Sequence, residues 1–200
     1  MYLLVWSLVV FSSLNIYKVF LLGSVFMNIA VTGHTSGIGL AIYSAFTQAD
    51  HTVIGFSRTN GYDIGIAVDD ILDQSLHCDI FVNNAYHKIG QNKILEKLLM
   101  LWEGTNKYII NISSNIVNIH SQFPEPLIKY RTVKQLSNHI VSNYTGSINI
   151  LNVLPDIVKT NFYLGGSLLE LGMDPKYVAD TVIKEIKPGV HELIIRHPDW

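Results

Sequence analysis

The stretch "TGHTSGIG", Thr32–Gly39, places three glycines in eight residues. An apolar run, "MNIAV" (27–31), precedes it, and "LAIYSAF" (40–46) follows. The first reads as a strand and the second as a helix. A strand, a glycine-rich turn and a helix together make an anion site. The helix start offers unpaired N–H groups and a partial positive charge, and glycines admit the close approach of a pyrophosphate. The spacing is G-x-x-x-G-x-G. It is not a P-loop, because no Gly-Lys-Ser/Thr follows.

Outward from this turn, strands and helices alternate. After the strand 28–32, a helix over 37–48 carries Ile38, Ile42 and Phe46 four residues apart. Further strands are expected at 51–56, 79–84, 107–113, 147–154 and 191–196. Helices are expected at 92–102, at 128–144 (Val133, Leu136, Ile140 and Tyr144 on one side) and at 174–186. The last opens with Asp174-Pro175, an N-cap and N1 pair. This alternation predicts βαβ units and one doubly wound parallel sheet in an α/β domain. The segment 58–78 has room for one short strand and one short helix.

The chain has 200 residues, is 48% hydrophobic and carries a net charge of -2. That suits one domain over residues 27–200, with no basic block for nucleic acid. The single cysteine, Cys78, allows no intrachain disulfide and fits a reducing cytoplasm. Residues 1–26 hold one charge, Lys18, and are long enough to span a bilayer. They lack the basic start and small-residue cleavage site of a secretory signal. Three readings stand: an upstream extension outside the working protein, a membrane anchor, or a helix packed on the domain.

Five motifs in order resemble the short-chain dehydrogenase/reductases: "TGHTSGIG", "NNAY" (83–86), "INISS" (110–114), "YRTVK" (130–134) and "LPDIVKT" (154–160). The resemblance spans roughly residues 27–196. It implies a Rossmann-like sheet and hydride transfer between a nicotinamide and a carbonyl or alcohol. It numbers the strand before "NNAY" fourth and that of "INISS" fifth. Tyr130 becomes the acid/base, Lys134 its activator and the holder of the nicotinamide ribose, and Ser114 the partner of the substrate oxygen. A tyrosine titrates near pH 10, and a nearby cation favours the phenolate. Tyr130 and Lys134, four apart, share a helix face.

The resemblance also assigns the cofactor set. Gly33, Gly37 and Gly39 line the pyrophosphate, Ile38 caps it, and Ser36 adjoins it. Asp63 meets the adenine amine, and Asn84 and Ala85 border the adenosine. Pro155, Val158 and Thr160 lie by the carboxamide. Ser57 and Arg58 stand where an NAD-preferring relative carries an acid, so NADP(H) is expected over NAD(H). No metal is called for. His34 is in the loop and within reach of a phosphate, though a solvent-facing histidine is expected, and Asn111 reads as structural.

Several features depart from the pattern. Tyr86 and Asp156 replace glycines. The stretch 84–114 is short, which trims the central helices. The Ser114–Tyr130 gap is long and holds Pro124 and Pro126. The fourth catalytic residue, an asparagine on the preceding helix, has only Asn92 as its nearest candidate. After Thr160, "NFYLGGSLLELGM" stands where the family has a substrate lid; Leu168, Leu169 and Leu171 read equally as packing. A homodimer is the family's habit, and the short helix 92–102 puts it in question. The alternatives to an enzyme are a non-catalytic NAD(P)-binding sensor and a membrane-anchored scaffold.

Overall fold

The computed structural model describes residues 26–160, 171–187 and 189–198. The segment 1–25 and the lid stretch from Asn161 through Gly165-Gly166 to Glu170 lie outside them. Six strands form one parallel sheet: β1 (Asn28–Thr32), β2 (Thr52–Phe56), β3 (Ile80–Asn83), β4 (Tyr108–Ile112), β5 (Asn149–Pro155) and β6 (Glu192–Ile195), in the order β2-β1-β3-β4-β5-β6. The helices are α1 (Gly37–Gln48), α2 (Val68–Ser75), α3 (Gly90–Leu101), α4 (Glu125–Asn143) and α5 (Pro175–Glu185).

The central strands are apolar on both sides, as a sheet covered on both faces requires. On β1, Ile29 and Val31 face one core with Ile42 and Phe46 of α1 and Val178 and Val182 of α5. Ala30 faces the other core, with Ile71 of α2 and Ile94 and Leu95 of α3. Among the described residues, no helix is long and apolar enough to cross a membrane.

The order reverses beside β1, so the loops after β1 and β3 open a crevice at the carboxyl end of the sheet. Ligands of open α/β sheets bind at such a point. Thr32 sets the crevice width. Its Oγ1 accepts from the backbone N–H groups of Asn84 (2.9 Å) and Ala85 (3.0 Å), and Asn84 Nδ2 donates to the Thr32 carbonyl (3.0 Å).

The structure corrects three expectations. Residues 58–78 hold no strand: a 3-10 turn, Arg58–Asn60, leads through left-handed Gly61 into α2. Their buried apolar residues, Ile64, Ala67, Val68, Ile71 and Leu72, recur at three and four, a helical spacing. The strand of "NNAY" is therefore third here and that of "INISS" fourth. Helix α4 begins at Glu125, since a proline in the first turn gives up no hydrogen bond. It also turns Lys134 and Ser137 to the sheet and leaves Leu136 42% exposed. The reason is polar: Ser137 Oγ accepts from Asn111 Nδ2 (3.0 Å), inside a core that already carries amides.

Candidate functional site

One cavity of about 510 Å³ lies along the carboxyl ends of the strands. Every site residue assigned from the sequence lines it except Gly39. Gly33, Ser36, Gly37 and Ile38 form one wall, with Ser57, Arg58 and Asp63 at the far end. Asn84 and Ala85 face them across the crevice. Ser114, Tyr130 and Lys134 close the near end with Pro155, Val158 and Thr160.

Gly39 is a correction. It is buried behind the turn, where a Cβ would stand 2.2 Å from the Gly33 carbonyl oxygen and 2.5 Å from Asn84 Nδ2. It serves close packing of helix on strand. The N-cap of α1, Ser36, makes no side-chain capping bond. The first N–H groups of α1 thus lack that partner, and Ser36, Gly37 and Ile38 line the cavity, as an anion site requires.

At the far end, exposed Arg58 follows buried Ser57. The Ser57 N–H donates to Asn60 Oδ1 (2.8 Å), and Asn60 Nδ2 donates to the Gly55 carbonyl (2.8 Å), which fixes the turn that carries the guanidinium. Asp63 is engaged from within. Its Oδ1 accepts from the Gly65 N–H (2.8 Å) and pairs with His87 Nδ1 (2.8 Å), and these bonds hold its carboxyl below the usual range. His34 is half-buried and does not line the cavity. Its ring lies on Gly55, where a Cβ would come within 2.3 Å, and 5.2 Å from the Tyr43 ring.

At the near end, the long loop after Ser114 folds back on itself. A 3-10 turn, Asn115–Asn118, is capped by Ser114, whose Oγ accepts from the Ile116 N–H (3.4 Å). The Ser114 hydroxyl also hydrogen-bonds the Tyr130 phenol, so the gap of sixteen positions does not separate them. Burial pushes the phenol up to about 12, and the Ser114 bond only partly opposes it. Burial thus sets the direction of the Tyr130 shift. Lys134 is itself drawn down to about 7 by burial, which weakens its charge at neutral pH. Its Nζ lies 5.4 Å from the Tyr130 ring centroid and 5.8 Å from that of Tyr86.

Asn92 does not reach this cluster: it is buried, and its Nδ2 donates to the Val133 carbonyl (3.1 Å). Gln91, one residue earlier, does reach it, and its Oε1 accepts from Lys134 Nζ (2.7 Å). Sequence reasoning missed Gln91 because two adjacent polar residues at a helix start differ only in which way they face.

No protein-family model matches the chain, and no curated protein matches it by sequence. Solved structures do. A short chain dehydrogenase from Burkholderia cenocepacia in complex with NADP superposes with a TM-score of 0.70 at 14% identity, over 84% of this chain and 87% of that one. A 3-ketoacyl-(acyl-carrier-protein) reductase from Brucella melitensis with NADH gives 0.69 at 17%, over 85% and 96%. A 3-alpha-hydroxysteroid dehydrogenase from a Pseudomonas species, also with NADH, gives 0.64 at 19%, over 84% and 95%. The chain has the fold of the short-chain dehydrogenase/reductases.

Two of its departures from the short-chain dehydrogenase/reductase motifs now have structural explanations. Tyr86 packs edge-on against Tyr130, with centroids 5.0 Å apart, and so joins the wall of the cleft. Asp156 accepts from Asn115 Nδ2 (2.7 Å) and from the His197 N–H (3.2 Å). It ties the loop of Ser114 to the segment after β6, a link a glycine cannot make.

Proposed function

We propose that the chain is an oxidoreductase that moves a hydride between a nicotinamide cofactor and a carbonyl or alcohol, with NADP(H) preferred. The observation that carries this reading is the hydrogen bond between Ser114 and Tyr130 beside Lys134, in the same cavity as the glycine turn. The reduced nicotinamide, when bound, supplies the hydride. The turn fits its pyrophosphate through the α1 N–H groups that Ser36 leaves uncapped. Arg58 fits a 2′-phosphate, which a guanidinium grips with two parallel hydrogen bonds.

Ser114 and Tyr130 would hold the substrate oxygen between two hydroxyls. Burial keeps Tyr130 protonated at neutral pH, so in the direction of reduction it is ready to give its proton to that oxygen. The carbonyl carbon gains the hydride, the oxygen gains the proton, and an alcohol leaves. Lys134 would hold the cofactor ribose and return a favourable charge to the phenolate left behind. The exposed Met100, Leu101, Ile128 and Leu136 on α3 and α4 support a homodimer, which sedimentation equilibrium tests.

The function is tested by fluorescence titration with NADPH and NADH, followed by turnover on a panel of aldehydes and ketones. Binding with turnover of at least one carbonyl is expected. Tight binding without turnover on any of them would favour a nucleotide sensor instead.

A further inference from the structure

The Lys134 ammonium is held from below by a residue outside the five motifs. Lys134 is 2% exposed, and its Nζ donates to Gln91 Oε1 (2.7 Å) and to the Ile112 carbonyl (2.8 Å). Gln91, on the first turn of α3, is fully buried. Its Nε2 donates to the carbonyls of Asn83 (2.7 Å) and Ile112 (2.8 Å). Carbonyls only accept and an ammonium only donates. A flipped amide would therefore set its oxygen against two acceptors and its nitrogen against a donor. One orientation satisfies every partner, and it points the oxygen at Nζ.

Gln91 is braced in turn by the sheet. Asn83 Nδ2 donates to the Gln91 backbone carbonyl (3.0 Å) and to Asn111 Oδ1 (3.1 Å), and Asn111 Nδ2 donates to Asn152 Oδ1 (2.7 Å). Asn83, Asn111 and Asn152 are register partners on β3, β4 and β5. A row of buried amides thus runs from the middle of the sheet to the active-site lysine. Buried hydrogen-bond networks of this kind rigidify what they hold.

We propose that Gln91 is the positioning residue of Lys134: its Oε1 fixes the ammonium beneath Tyr86 and Tyr130 and favours the charged form against burial. This rests on the hydride-transfer reading of the same cleft. The titratable groups that face Nζ are Tyr130 on α4 and Tyr86 in the loop after β3, while α3 and β4 present the Gln91 amide and the Ile112 carbonyl. Among the described residues no carboxylate pairs with Nζ, and the side chain that accepts from it is the Gln91 amide.

The test is the titration of Lys134 by 13Cε NMR in the full chain, with its signal assigned by its loss in Lys134→Met. Gln91→Met keeps the length and removes the acceptor; Lys134 should then titrate lower by about one pH unit, the scale of one charge-assisted hydrogen bond. Gln91→Glu keeps an acceptor and adds charge, and Lys134 should titrate higher. Where Gln91→Met does not fold, the upward shift in Gln91→Glu decides alone. Turnover against pH should follow the same displacements. A merely structural glutamine would lower stability in both variants without moving the lysine in opposite directions. An unmoved titration, or the same direction in both, overturns the proposal. Shifts as expected in a protein that turns over no carbonyl would sink the hydride reading and leave the hold of Gln91 on Lys134 intact.

Discussion

Thr160 lies directly over Gly37: a Cβ on the glycine would stand 2.8 Å from Thr160 Cγ2. The loop after β5 thus closes on the turn after β1. Gly37 also has φ +55°, a left-handed conformation that costs a residue with a Cβ about 1–2 kcal/mol. Gly37→Ala should lower the melting temperature by several degrees and weaken NADPH binding about tenfold or more. Adding Thr160→Ser removes the opposing methyl and should recover part of the loss, leaving the backbone strain. Calorimetry and titration check this; an unchanged melting point in Gly37→Ala would contradict the contact.

Tyr130→Phe keeps the ring and removes the proton donor. Turnover should fall roughly a hundredfold or more, with cofactor affinity nearly unchanged. Lys134→Ala should lower turnover and weaken the cofactor as well. The two losses should not add, since the lysine acts partly through the tyrosine. Steady-state kinetics of the singles and the double decide. Undiminished turnover in Tyr130→Phe would move the chemistry elsewhere.

Arg58→Ala should weaken NADP(H) far more than NAD(H). The side chain is exposed and the turn beneath it is held by Ser57 and Asn60, so the fold should be unaffected. Equal affinity of the unmutated protein for both cofactors would refute the preference.

Lys134 makes stability depend on pH with an unusual sign. Its pKa drops from 10.5 to about 7 on folding. Between those values the unfolded chain binds the extra proton, so stability rises with pH across that window. A lysine gaining an acidic partner does the reverse. The difference in unfolding free energy between wild type and Lys134→Met, read by urea denaturation, should shift toward wild type from neutral pH to about pH 10. A flat difference would mean that the lysine stays charged in the folded state.

A chain starting at Met27 should fold cooperatively and bind cofactor. Met27 is already 7% exposed within the core, next to a complete first strand. Loss of cooperative unfolding in that shortened chain would make residues 1–26 part of the fold.

Local pattern carried most of the architecture. The glycine turn, the alternation of β-branched runs with four-residue periodicity and the Asp174-Pro175 start each encode their own element, and each was legible as such. Asp174 accepts from the Lys176 N–H (2.7 Å), as its place before a proline implies. The five motifs also named residues that fold around one cavity. What sequence left open depends on contacts between distant segments. Whether the long stretch between them brings Ser114 to Tyr130 depends on how the chain turns at Asn115–Asn118 and on where α4 begins. Which of Gln91 and Asn92 meets Lys134 is a matter of helix rotation, and burial sets the protonation of Lys134 and Tyr130. Gly39, packed behind the turn, shows the same: a residue's type and neighbours in sequence say what it can do, and only packing says what it faces.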